Sequence, residues 1–240
     1  MADSETINTC KSCGFSGAGD YCSRCGHQYK TKRISISGLL HDILHFFTHL
    51  EKGFGYTLKQ LIIAPGHMQR TYIEGERSKH QKPFSMFIIC ASISAVSRYW
   101  ILKALLKYYH AADISEANFF HEYMVVLYIA LVPVFALLGY LFFYKSGYNY
   151  AEMGVWIFYT VSVLFLGAIF IAITRFAWPF QDSAYIEFPV FCVYFTITAV
   201  NFFKKLSRWE VVIKSLIIMT IIFLLNQVLE DFAVHLISRS

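Results

Sequence analysis

Residues 154–174 read GVWIFYTVSVLFLGAIFIAIT, an apolar run without one charged side chain. A helix needs about 20 such residues to cross the hydrocarbon of a bilayer. Apolar on every side, it has to be surrounded by lipid or by other helices. Four more windows share this character: 84–106, 124–144, 185–203 and 211–229. Short polar breaks separate them, so residues 84–240 read as an all-α transmembrane bundle of about five spans. Composition agrees. The 240 residues are 56% hydrophobic and only 15% charged, with mean hydropathy +0.47, against about 45–50% and about 25% in soluble domains. That excludes a disordered chain and argues against a soluble enzyme. Six cysteines are too few for a disulfide-dense secreted scaffold.

Inside the spans polar groups are sparse. Arg98 and Lys103 fall near the outer end of the first, and Arg175 and Lys214 also lie toward span ends, where long side chains snorkel to the interface. Pro133 sits inside the second span and predicts a kink, whereas Pro189 is expected in the first turn of the fourth, where proline is tolerated. Ala91, Ser94, Ala95 and Ser97 give the first span a small face suited to close helix packing. Asn226, Gln227 and Glu230 could cap the bundle or line a pore mouth. No carboxylate falls between Glu152 and Asp182, which weakens proton-coupled transport. The H-E-x-x-H, G-x-S-x-G and P-loop patterns are all missing.

Basic residues set the orientation. With the N-terminus inside, Arg70, Arg77, Lys79, Lys82, Lys145, Lys204, Lys205, Arg208 and Lys214 fall on the cytoplasmic side. The opposite side receives Arg98, Lys103, Lys107, Arg175 and Arg239, and its first loop carries Asp113, Glu116 and Glu122. The expected topology is N-terminus in, C-terminus out. Residues 1–11 lack the apolar core of a signal peptide, so the first span itself has to direct insertion.

Ahead of the bundle, residues 1–30 hold Cys10-Lys-Ser-Cys13 and Cys22-Ser-Arg-Cys25. Two such pairs can place four thiolates around one tetrahedral ion, the arrangement of a closed structural Zn²⁺ site. Gly14 and Gly26 follow the second cysteine of each pair and permit the tight turn that aims backbone N–H groups at sulfur. Phe15, Ala18, Tyr21 and Tyr29 are most of the apolar side chains available, so metal binding has to supply the folding energy. Two disulfides or an iron–sulfur centre would use the same sulfurs; a reducing cytoplasm argues against the disulfides. Cys90 and Cys192, within spans, read as small apolar side chains.

Residues 31–83 connect ribbon and membrane. An amphipathic helix is expected over 35–63, its stripe of Ile36, Leu40, Ile43, Phe47, Leu50, Phe54 and Leu61 lying on the inner membrane surface or against the bundle. Gly53 and Gly55 are expected to bend or break it. His41, His45 and His49 stack on the opposite face. A solvated polar surface is the preferred reading, a second metal site comes next, and catalysis last. Pro65-Gly66 marks a turn, and Arg77, Lys79 and Lys82 could bind anionic headgroups, although a positive-inside flank accounts for them more simply.

The stretch HDILHFFTHLEKGFGYTLKQLIIAPGHMQRTYIEGERSKHQKPFSMF, residues 41–87, resembles the bacterial family known as domain of unknown function 3667. The resemblance runs over about 8–90 and rests on His41, His45, Thr48, His49, Lys52, Gly53, Phe54, Thr57, Leu61, Pro65, Gly66, Tyr72, Ile73, Gly75, Arg77 and Pro83. Glu76 stands where the family pattern has lysine. It implies a short zinc ribbon, a membrane-proximal segment and several spans in a bacterial cytoplasmic membrane, and it implies no activity. The expected function is therefore that of a non-enzymatic membrane protein. Its ribbon and interfacial helix would dock a cytosolic protein partner and couple it to the bundle as scaffold, sensor or assembly factor. An oligomeric channel or small-solute transporter is the alternative, and a membrane-surface enzyme acting on lipid through the histidine row is the third. Few basic residues and no aromatic platform disfavour nucleic acid as a partner.

Overall fold

The computed structural model describes residues 8–26, 28, 29, 33–36, 38, 53–109, 124–177 and 184–237. The histidine row His41, His45 and His49, most of the stripe ahead of Phe54, the acidic loop of Asp113, Glu116 and Glu122, and Arg239 lie outside these residues. A two-residue hairpin comes first, β1 (Asn8–Thr9) pairing antiparallel with β2 (Ser16–Gly17). Two short helices follow, α1 (Phe54–Ile63) and α2 (His67–Glu74). Then come five long ones: α3 (Pro83–Tyr109), α4 (Met124–Phe142), α5 (Tyr150–Thr174), α6 (Ala184–Phe202) and α7 (Arg208–Ile237).

Among the described residues α3, α4, α5 and α7 are each long and apolar enough to cross a membrane, which makes this a multi-pass membrane protein by helix hydropathy. The apolar part of α6, Ile186–Phe202, is shorter. At about 1.5 Å per residue, α3 and α5 reach about 40 Å. The helices alternate in direction. At one end Phe143, just past α4, stacks on Phe203, just past α6, with ring centroids 4.1 Å apart. Lys214 from the start of α7 lies over the Phe143 ring. At the other end the Tyr109 hydroxyl closing α3 donates to the Phe176 carbonyl just past α5.

α5 is the hub. It packs most extensively on α3, then on α4, and also touches α1, α2 and α6. Every residue from 151 to 162 is buried, so the run that decides the fold is the innermost helix. Trp156 sits at the centre of an aromatic cluster with Phe143, Phe195, Phe202 and Phe203. Gly139 on α4 leaves room for the indole: a Cβ there would stand 3.3 Å from its ring.

Three expectations need correction. Arg98 does not snorkel; it is buried, and its guanidinium meets the Glu187 carboxylate of α6 at 3.2 Å. A cation that deep finds a counter-charge on a neighbouring helix instead of reaching for the interface. α6 begins at Ala184, so Pro189 is its sixth residue and lies beyond the first turn, and its missing N–H frees the carbonyl of residue 185. Of the two membrane-proximal glycines only Gly53 breaks the chain, with φ 137° at the start of α1, whereas Gly55 lies inside that helix.

Candidate metal centre and its seat on the bundle

The four cysteine sulfurs lie within 4.8 Å of one another, with Cys10 Sγ and Cys25 Sγ, and likewise Cys13 Sγ and Cys22 Sγ, 3.6 Å apart. A tetrahedral ion with bonds of about 2.3 Å would space its sulfurs about 3.8 Å apart, so one metal ion fits between them. All four thiols are unbridged. The local chain explains the convergence. Gly14 and Gly26, at φ 72° and 71°, close two matching turns in which Gly14 N–H donates to Cys10 O and Gly26 N–H to Cys22 O. Each turn aims N–H groups at the leading sulfur: Ser12 and Cys13 at Cys10, Arg24 and Cys25 at Cys22. Burial raises these thiols, but the N–H groups and neighbouring thiols more than offset it, leaving Cys10 below its usual value and Cys22 at about 6. Tyr29 packs over the cluster, and burial together with Cys22 pushes its hydroxyl up to about 12.

The first knuckle rests on the membrane-proximal segment. Lys11 Nζ donates to the Glu74 carbonyl at 2.6 Å, the Ser12 and Ser78 hydroxyls meet at 2.9 Å, and Lys79 Nζ donates to the Ser12 carbonyl at 3.2 Å. The second knuckle points away, with Ser23, Arg24 and Cys25 exposed. The chain leaving the ribbon is pinned as well. Arg33 makes a bidentate pair with Glu152 at 2.8 and 2.9 Å and donates to the Gly147 carbonyl. Glu152 also accepts the Asn149 N–H, while the Asn149 amide donates to Ile34 O. The guanidinium is raised above its usual value by the Glu152 hydrogen bond. One buried carboxylate thus caps α5 and holds the linker. The sequence had marked Glu152 only as the last acid before a long apolar stretch; the N-x-x-E spacing of Asn149 and Glu152 was the signal for a capping box.

Beneath the ribbon, α1 and α2 form a helical hairpin set into the ribbon end of the bundle. Its tip, Ala64-Pro65-Gly66, abuts α6. Gly66 has φ +80°, and a Cβ there would lie 2.2 Å from the Thr198 carbonyl. Buried polar groups fix the hairpin. Gln69 accepts the Gly66 N–H at 2.9 Å and donates to Thr160 at 3.0 Å. The Thr57 hydroxyl accepts Gln81 N–H at 2.8 Å, and Tyr159 donates to Gln81 O. Tyr194 reaches the Leu61 carbonyl and Arg70 reaches Asn201 O. Ile62 and Ile63 at the tip are exposed. The apolar stripe of α1 therefore faces the bundle through Leu61 and the partly buried Phe54 and Leu58.

The basic residues expected to meet headgroups are bonded internally. Arg77 donates to the Tyr72 and Ile73 carbonyls that end α2 and lies over the Tyr72 ring. Lys79 holds Ser12 and sits 4.0 Å from Glu76; Lys82 has a partner too. His80 is buried between Tyr56 and Tyr72, and burial holds its imidazole below the ordinary histidine value. No curated protein and no solved structure matches the chain. One match covers α1, α2, the seat of the ribbon and the first half of α3, leaving out the cysteines themselves: residues 51–95 match the family described as protein of unknown function (DUF3667).

Proposed function

We propose that this is a non-enzymatic membrane protein whose zinc-loaded ribbon docks a cytosolic protein partner and couples it to the bundle. The observation that carries the reading is the seating of the first knuckle on residues 74–79, which leaves the second knuckle exposed. One knuckle is used inward and the other is exposed. The ion is read as a structural Zn²⁺, because four thiolates close a tetrahedral site and keep no open position for chemistry. α6 is read as the fifth crossing: it runs opposite to its neighbours, with Glu187 beside Arg98 near the far end and Asn201 beside Arg70 at the ribbon end. An odd number of crossings puts Met1 inside and Ser240 outside a bacterial cytoplasmic membrane. The cations at the ribbon end, from Arg33 to Lys214, favour that orientation.

The test is affinity capture from solubilised membranes with wild type and with Arg24→Ala, a change on the outward knuckle that spares the sulfurs. A partner held by wild type and weakened by Arg24→Ala and by Cys25→Ser supports docking. A partner set unchanged by both, at intact metal content for Arg24→Ala, refutes it. Tags at the two ends found on one side of the membrane would refute the fifth crossing.

A further inference from the structure

The bundle carries a second basic feature that the ribbon does not use. Two turns meet at the ribbon end: residues 143–147, which follow α4, and 203–207, which precede α7. The stacked Phe143 and Phe203 rings join them. The site of a Cβ on Gly147 is 3.5 Å from Lys205 Nζ, so Lys205 of one turn stands against the backbone of the other. Lys145, Lys204, Lys205 and Arg208 are all exposed. The nearby carboxylate, Glu210, is already held by Lys214 at 2.6 Å. Among the described residues, Lys204, Lys205 and Arg208 make no side-chain hydrogen bond or ion pair. Tyr144 and Trp209 flank the group and are exposed at 59% and 77%, as expected of aromatic side chains that sit at headgroup level.

We propose that this rim binds the phosphate-bearing headgroup of an anionic phospholipid through Lys145, Lys204, Lys205 and Arg208. A positive-inside flank alone requires only that cations lie on one side; it does not require them to come from two adjoining turns between two interfacial rings, with Lys204, Lys205 and Arg208 unpaired among the described residues. Arg70, Arg77 and Lys79 at the same end are spent on carbonyls and neighbouring carboxylates. A lipid is favoured over a soluble phosphate because the flanking rings belong where acyl chains begin. Each cation near an anionic surface contributes about fivefold in affinity.

The experiment uses the full-length protein in phosphatidylcholine nanodiscs doped with phosphatidylglycerol, with the relative association of the two lipids read by spin label. Wild type should prefer phosphatidylglycerol several-fold at low salt. The triple variant Lys204→Gln, Lys205→Gln, Arg208→Gln should bring the preference close to one, and Lys103→Gln with Lys107→Gln at the opposite end should leave it intact. If the triple variant does not fold, Lys204→Gln and Lys205→Gln are read singly, each expected to lower the preference. An unchanged preference in the rim variants, or an equal loss in the far-end pair, overturns the proposal. So does abolition by millimolar inorganic phosphate at matched ionic strength, which would assign the rim to a soluble phosphate.

Discussion

Replacing Gly66 by alanine should unseat the helical hairpin. Two costs add. At φ +80° an L-residue is strained, by about 1–2 kcal/mol. The new Cβ would stand 2.2 Å from the Thr198 carbonyl oxygen and 2.8 Å from Asn201 Cβ and Phe202 N. Ordinary contact begins near 3.4 Å, so α6 or the hairpin tip has to move by roughly 1 Å, and overpacking of that kind costs about 1–3 kcal/mol. The obstacle is helix backbone, which cannot rotate aside as a side chain would. The sum is about 2–5 kcal/mol. The control is Gly55→Ala: that position lies inside α1 with nothing within 4 Å, and alanine should be neutral or stabilise by up to about 1 kcal/mol. Reversible unfolding in mixed micelles, followed by tryptophan fluorescence, reads both; Trp156 lies against the Gln69 anchor of the same hairpin. A Gly66→Ala protein within 1 kcal/mol of wild type would refute the packing of the hairpin on α6.

Three other outcomes are expected. Glu187→Gln should cost about 3 kcal/mol because it strands the buried Arg98, and pairing it with Arg98→Met should cost clearly less than the two single changes together; strict additivity in a double-mutant cycle would disprove the pair. His80 is held neutral by burial, with Glu76 opposing that shift and Lys79 adding to it. The unfolded chain therefore binds more protons just below about pH 6.5. Its contribution to stability is complete above that pH and is lost as pH falls through the lowered folded value. Melting temperature against pH should flatten over this window in His80→Gln; an identical profile would sink the assignment. Cys22→Ser should take bound metal from about one ion per chain to near none by elemental analysis, and it should raise protease sensitivity at residues 8–26, where cleavage as slow as in wild type would mean that the metal does not hold the ribbon.

What the sequence disclosed and what it hid divide along a physical line. Spans and ribbon are local properties. A run such as 154–174 carries its own periodicity and length, and the two C-x₂-C pairs carry their own turns, down to the positive φ of the glycine after each. The hairpin was half legible. Pro65-Gly66 announced a turn, and α1 was expected against the bundle or the membrane surface, but nothing local said that Gly66 would press on α6. The pairings Arg98–Glu187 and Arg33–Glu152 join residues 89 and 119 positions apart, and no periodicity encodes a partner that distant. Glu187 was passed over because a single acid near a span end looks like an interfacial residue. The internal bonds of the basic loop were hidden for the same reason: only the fold brings the α2 carbonyls to Arg77 and Ser12 to Lys79.

The polar anchors of the hairpin also set where the ribbon meets the bundle. In an apolar surrounding an unpaired amide or hydroxyl is costly, so the side chains of Gln69 and Thr57 fix the hairpin's register more sharply than leucines would. Residues 74–79 inherit that register, since α2 runs directly into them and Arg77 clamps its last carbonyls. The ribbon meets the same residues through the Ser12–Ser78 hydroxyl pair and two lysines that donate to backbone carbonyls, contacts that need knuckle and turn held face to face. A knuckle folded around its ion presents Ser12 and Lys11 in that geometry. Without the ion the segment has too few apolar side chains to hold its shape, and all three bonds would be lost together. On the proposed function, metal occupancy would thereby be linked to the position of the α2–α3 turn, at the N-terminus of a helix long enough to cross the membrane.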